Sequence, residues 1–445
     1  MFAPVLLLAC TMPIGDSAAP AGTLEVTVEQ DGDTPVRRVR WTTPEASTGA
    51  VEFGVGGFTH QVESDEPALE HEVIVAGVGA GQEWQLRVVA EGESASWESD
   101  VVDIQADYPP TELPIPVLSI GEASSGPGYT LTPVRTGEEV RITAYGPDGR
   151  AAWWSEPQVT RGFRVRYNEE NGEISWLAID SPEEGPVFRV STLNGEVRSI
   201  PAPTWAHHDF VHLADGRMVV LAHDSRTIEG IEVSGETIQV VSPDGSVRQA
   251  WSSWDRWTWD GTGKGGPGGK VEWPHANGLW VNEAGTTAWV SLFYPGCIVE
   301  ISLIDGRENS IIGGDYSTWT VEGAGFIAQH SPVVSEDGRT LWLMDNGIGG
   351  AGAASEARAY SLDPGSHTAQ ETLLFDDGGA HEAILLGDVI PLDGGASFVN
   401  WGTGGTVQTI DTTLTVDWQL DFPLGAFAML ASVSPHLGAT AIPER

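Results

Sequence analysis

Positive charge is what this chain most lacks. Lys and Arg together number 22 against 63 Asp and Glu, a formal charge of -41. Such a surface repels phosphate backbones and anionic lipid head groups over a Debye length, which excludes nucleic acid as a partner. Cysteine is nearly absent as well: Cys10 and Cys297 stand in unrelated contexts, which argues against a disulfide framework. Beyond the first ten residues no run approaches the roughly 18 apolar residues needed to span a bilayer. Long helical periodicity is missing, so a helix bundle is not expected. A phosphate-binding loop is missing too. In the glycine-rich stretch Gly261 to Lys270, Lys264 stands where the first glycine belongs and Val271 follows Lys270. That stretch reads as a surface loop.

What is present suits short strands and many turns: 18 Trp, 55 Gly and 28 Pro in a chain that is 40% hydrophobic. At 445 residues the chain exceeds one ordinary domain of roughly 100 to 200 residues, unless a repeat architecture absorbs the excess.

The opening run Val5-Leu6-Leu7-Leu8-Ala9-Cys10 resembles the lipobox of bacterial lipoproteins. That resemblance implies acylation of Cys10 and a place in the cell envelope, periplasmic or at the cell surface, with membrane contact through a lipid anchor only. Nine residues precede Cys10 and none is Lys or Arg, unlike the charged start of a usual signal peptide. Residues 11–22, rich in Pro, Ala and Gly, read as a flexible tether.

Residues 23–106 alternate with period two in short runs, such as Leu24 to Val28, Val36 to Trp41 and Trp84 to Val89, and read as a small β-sandwich. Val39-Arg40-Trp41-Thr42-Thr43, then Val51-Glu52-Phe53-Gly54, resembles a fibronectin type III-like module. Modules of that kind hold, space or dimerise, so a homodimer is one expected partner. Residues 107–125 read as a stiff proline-rich link.

Between residues 126 and 440 a turn signal followed by an apolar strand recurs: Asp148-Gly149, Asn171-Gly172, Asp215-Gly216, Asp244-Gly245, Asp305-Gly306, Asp337-Gly338 and Asp393-Gly394. Hairpins repeated over such a span predict a β-propeller, and six blades of roughly 50 residues fit it; seven stays open. The expected fold is all-β, a six-bladed propeller behind an N-terminal β-sandwich.

Three blades open on histidine: Trp205-Ala206-His207-His208-Asp209, Trp273-Pro274-His275-Ala276-Asn277 and Ala328-Gln329-His330-Ser331. His208 and His330 each precede a turn aspartate by seven residues, a strand of about 23 Å. The returning strand then brings His223 and Asp224, Leu292 and Phe293, Asp345 and Asn346, and Trp401 back to the level of the histidines. First strands line a propeller's axis, so these residues converge on one mouth of the channel. Asp209 and Asp345 either orient imidazoles or close turns.

His207-His208-Asp209, His275-Ala276-Asn277, Gln329-His330 and Asp345-Asn346-Gly347, in that order, resemble the motifs of the bacterial arylsulfotransferases. The resemblance covers most of residues 126–440, including Val399-Asn400-Trp401-Gly402. It implies transfer of a sulfuryl group from an aryl sulfate to a phenol through a sulfated histidine, with no cofactor. His330 matches the nucleophile; His275 and Asn277 would hold sulfuryl oxygens, and His208, or His207 in its place, would be the acid or base. His207, Phe293 and Asn346 would line the substrate site. The family's arginine after the His-x-Asn motif is replaced here by Ser291-Leu292-Phe293-Tyr294, and Arg226 or Arg358 would have to supply its charge. Two further readings stay open: a noncatalytic binding propeller, and a metal held by the histidine cluster, although no ligand set is assigned from sequence.

Overall fold

The computed structural model describes residues 22–30, 34–136, 139–156, 163–169, 171–179, 185–265, 269–347, 354–438 and 440–441. Cys10 and the tether up to residue 21 lie outside them, so the lipid-anchor reading rests on sequence alone. Among the described residues no helix is long and apolar enough to cross a membrane.

Local turn chemistry builds the hairpins as expected. Gly149, Gly172, Gly216, Gly245, Gly306 and Gly338 all have φ between 67° and 82°, where a side chain would be strained. The residue before each accepts a bond from the amide two residues on: Arg150 N to Asp148 Oδ1 at 3.0 Å, Arg217 N to Asp215 Oδ1 at 3.1 Å and Arg339 N to Asp337 Oδ1 at 3.0 Å are examples. These are Asx turns, in which the side chain replaces a missing backbone partner.

Six antiparallel sheets follow one another. The second runs Val165–Asn168, Glu173–Ile179, Pro186–Thr192, Val197–Pro201. The third is Ala206–His212, Met218–Ile228, Ile231–Val241, Val247–Ser252, with Val271–Glu272 added in parallel. The fourth is Ala276–Val281, Thr287–Leu292, Cys297–Ser302, Glu308–Ile312. The fifth opens with Gln329–Val334 and Thr340–Asp345, and the sixth with Asp388–Pro391 and Ser397–Asn400.

Closure comes from both ends of the chain. The first sheet takes Tyr129–Thr136, Glu139–Tyr145 and Ala151–Trp154 from the N-terminal side, and Phe427–Ala428 and Ser432–Ser434 from the C-terminal side. Val117–Ile120 pairs with Val416–Asp421 on the outer edge of the sixth sheet. The segment expected to be a proline-rich link is therefore built into the ring, with Tyr145 Oη donating to Pro114 O at 2.6 Å.

Each neighbouring pair of sheets shares an apolar cluster. Leu131, Trp153 and Trp176 join the first to the second; Leu177, Phe188 and Phe210 join the second to the third; Leu221, Leu279 and Val290 join the third to the fourth. Trp289, Val334 and Tyr360 join the fourth to the fifth, Met344, Val399 and Trp401 the fifth to the sixth, and Val134, Phe398 and Trp418 the sixth back to the first. Six sheets and six shared cores that close on themselves make a six-bladed propeller. Truncating one of its buried tryptophans to Ala would cost about 3–5 kcal/mol.

Ahead of the ring, Arg37–Gly54 is one long bent strand. Its first part pairs with Val26–Gln30 and residues 71–75; after bulges near Ser47, its second part pairs with residues 60–64 and Glu83–Gly92. The two parts enclose Val39, Trp41, Val51, Phe53, Val73 and Leu86. This β-rich unit rests on the first blade. Val36 and Ala76 enter the core of Leu131 and Trp153, and Tyr129 Oη donates to Gly77 O at 2.6 Å. The last described strand returns to it: Thr440–Ala441 pairs with Gln61 and His60, so the last described propeller strand is Ser432–Ser434.

Candidate functional site

The inner strands gather a histidine cluster near their starting ends, and a buried ion network links the blades next to it. Arg164, just before the second blade's first strand, carries the network. Its guanidinium donates to Asp209 (3.2 and 3.3 Å), to Asp388 Oδ1 at 2.7 Å, to Ser331 Oγ at 3.0 Å and to Ala431 O at 2.8 Å. Asp209 Oδ2 also accepts from Leu279 N at 3.0 Å. Those partners stand on blades 3, 6, 5, 1 and 4, so every blade meets at this hub. Burial disfavours the charge on Arg164, but Asp209 and Asp388 hold its pKa above the ordinary value. Arg164, together with Arg166, whose Nη2 lies 2.9 Å from Asp209 Oδ1, holds the Asp209 carboxyl below its usual range against the effect of burial.

Asp209 is thus a partner of arginine rather than an orienter of imidazole. Asp345 neither orients a histidine nor simply closes a turn: it accepts from Ile327 N and Gly347 N and pairs with Arg358 Nε at 3.0 Å.

Above the hub the imidazoles touch in a chain. His207 stacks on His223 with ring centroids 3.8 Å apart, and its Nδ1 lies 2.7 Å from His208 Nδ1. His208 is edge-on to His275 at 5.1 Å and stacked on Phe163 at 4.9 Å; His275 is edge-on to Phe293 at 5.8 Å. The strand-return count holds at the three histidine blades, where His223 N bonds Trp205 O at 3.2 Å, Phe293 N bonds His275 O at 3.0 Å, and Asn346 meets His330, whereas Trp401 is buried in the core between the fifth and sixth blades.

The three opening histidines are nevertheless not equivalent. Positive φ at His208 (53°) and Ser331 (49°) falls inside the register shifts of the third and fifth blades' inner strands, whereas the fourth blade's shift lies between Ala276 and Gly278, after His275. Ala206, Ala276 and Gln329 pair with Ala222, Leu292 and Asp345, so His330 corresponds in place to His207 and Asn277.

His330 is 3% exposed. Its Nδ1 lies 2.5 Å from Asn346 Oδ1, and the Asn346 amide is anchored on Ala383 O and Leu386 O at 2.6 and 2.9 Å. Asn346 therefore holds the proton on Nδ1, and Nε2 keeps its lone pair. Burial pushes the His330 pKa down to about 4, so the ring is neutral near pH 7. Burial and the surrounding imidazoles push His208 well below its ordinary value.

Glu236, fully buried, lies 2.8 Å from His207 Nε2 and 3.5 Å from His223 Nδ1. Burial would raise its pKa, but those histidines hold it below the usual carboxylate range. Asn277 has its amide nitrogen engaged with Gln329 O at 2.9 Å, while its Oδ1 is buried without a partner.

Arg358 and Arg226 are engaged elsewhere. Arg358 is buried among Asp345, Glu356 and Glu371 within the fifth blade, and Arg226 lies half-exposed over the Trp254 ring, 5.1 Å from its centroid. Sequence reasoning passed over Arg164, Glu236 and Asp388. Arg164 had a signal: it precedes Asn171 by the same seven residues that separate His208 from Asp215. Glu236 had a weaker one, an acid at the middle of the strand Ile231–Val241.

No family model matches the sequence, and no curated protein matches it. Among solved structures the chain is similar to a protein of unknown function from Bacteroides caccae, at 14% identity, covering 66% of this chain and 94% of that one, with a TM-score of 0.43. TolB from Acinetobacter baumannii matches at 10% identity over 80% of this chain and 79% of that one, TM-score 0.40. Virginiamycin B lyase from Staphylococcus aureus matches at 12% identity over 58% and 69%, TM-score 0.35. Likenesses this distant assign no activity, and the blade count rests on the pairing and packing above.

Proposed function

We propose that the mouth transfers a sulfuryl group from an aryl sulfate to an acceptor phenol through His330. The observation that carries this reading is a buried, neutral imidazole with Nδ1 fixed by Asn346 and Nε2 free of hydrogen bonds among the described residues. A neutral imidazole nitrogen is a competent nucleophile near pH 7. Its lone pair attacks sulfur, the N–S bond forms as the S–O bond to the aryl group breaks, and a phenolate leaves. The acceptor's hydroxyl then gives its proton to His208 as its oxygen attacks sulfur, and the N–S bond breaks. His275, whose Nδ1 faces the Glu272 carboxylate at 3.3 Å without a well-formed hydrogen bond, would turn to bond a sulfuryl oxygen.

The test is turnover by purified protein with a panel of aryl sulfates. Release of phenol that requires an acceptor, loss of it in His330→Ala, and a donor-dependent mass gain of one sulfuryl group on the peptide bearing His330 support the reading. Absence of turnover across the panel refutes it. One observation favours a second reading, noncatalytic binding of a phenolic ligand: Arg164, Arg166 and Arg358 are each paired with carboxylates, which leaves sulfuryl oxygens without their charge.

A further inference from the structure

We propose that His207, His223 and Glu236 form a binding site for a divalent transition-metal cation of the zinc type. They stand on three adjacent strands of the third blade, Ala206–His212, Met218–Ile228 and Ile231–Val241, with His223 and Glu236 directly opposite in the ladder. One nitrogen or oxygen from each lies within 4.8 Å of the others. Ligands of a shared tetrahedral ion, with bonds of about 2.0–2.2 Å, sit roughly 3.3 Å apart, so side-chain adjustments of about an ångström suffice.

The partners of Glu236 point the same way. Its carboxylate is fully buried, yet its side-chain partners are His207, His223 and the Ala276 amide at 3.1 Å, with no Lys or Arg among them. A buried carboxylate needs compensating charge, which a cation would supply. The nitrogen facing Glu236 on His223 is buried and has no hydrogen bond of good geometry.

The surroundings are those of a ligand set held in place. His207 Nδ1 is tied to His208 Nδ1 at 2.7 Å, which leaves Nε2 as the atom aimed at Glu236, and the Glu236 amide donates to Ser253 Oγ at 2.9 Å. Such outer contacts set tautomer and ring orientation. Two imidazoles and one carboxylate suit zinc, cobalt or nickel over magnesium or calcium, which prefer oxygen alone. Three protein ligands leave a coordination position for water or substrate. The site stands whether or not His330 transfers a sulfuryl group.

Calorimetric titration of chelator-treated full-length protein with Zn(II) tests it, with His330→Ala as a variant that leaves the three ligands intact. Expected are one ion per chain in wild type and His330→Ala, loss of that binding in Glu236→Gln and in His223→Ala, and an affinity lower by about 10–100-fold in His208→Phe. No saturable binding by wild type, or undiminished affinity in folded Glu236→Gln and His223→Ala, overturns the site and assigns any zinc uptake to surface carboxylates. If either variant does not fold, the visible spectrum of the Co(II)-loaded wild type decides. Intense four- or five-coordinate bands support the site, and a weak six-coordinate spectrum overturns it.

Discussion

Lowering the pH should destabilise this protein through His330 in a way that its replacement removes. The ring is neutral in the fold, with a pKa of about 4, and returns to an ordinary value near 6.5 on unfolding. Between those values the unfolded chain binds a proton that the folded chain refuses. The contribution is therefore fully present above about pH 6.5 and is lost as pH falls towards 4. At about 1.36 kcal/mol per pH unit the limit is about 3 kcal/mol, and the loss already reached at about pH 5 is roughly 2 kcal/mol. Paired urea titrations of wild type and His330→Gln at about pH 8 and pH 5 isolate this contribution, because the other carboxylates and histidines titrate in both. Wild type should lose roughly 2 kcal/mol more than the variant over that interval. Parallel losses would mean that His330 protonates near its ordinary value, and the argument for a buried neutral nucleophile would fail with it.

Two further outcomes follow from the hub and from the charge. Arg164→Met strips Asp388 of its ion pair and Asp209 of one of two, so unfolding should become easier by about 3–5 kcal/mol in chemical denaturation; an unchanged midpoint would show that the hub is not a cohesive element. At a formal charge of -41, raising NaCl from about 0.01 to 0.15 M shortens the screening length from about 30 to 8 Å, and the melting temperature should rise; a fall would mean that attractive pairs outweigh the net repulsion.

Much of the propeller was legible because its signals are local. An Asp or Asn followed by Gly closes a hairpin with its own side chain, as Asp215-Gly216 does, and needs no distant partner. Counting strand residues away from such turns placed His223, Phe293 and Asn346 level with the opening histidines, because strand rise and pairing are regular. The same count failed to show that His208, His275 and His330 occupy unlike positions. A bulge adds a residue to one strand, and its left-handed φ at His208 or Ser331 has no glycine to announce it.

Arg164 illustrates the other limit. Its partners Asp209, Ser331, Asp388 and Ala431 lie up to 267 residues away, so no window of sequence contains the contact. Arg358 shows the converse: it followed the Asp-Asn-Gly motif at a plausible distance, but Glu356 on its own strand and Asp345 and Glu371 on the adjacent strands hold it within its own blade.

Turn chemistry, alternation and composition thus determined that the chain makes hairpins, that they repeat as blades, and that histidines open three of them. The closing of the ring by Val117–Ile120 and Ser432–Ser434, the axial hub, and the meeting of Glu236 with His207 and His223 were decided only in three dimensions. The physical reason is range. A turn is stabilised by atoms a few bonds apart, whereas ring closure and buried charge pairing depend on where six sheets bring residues that the chain itself keeps far apart.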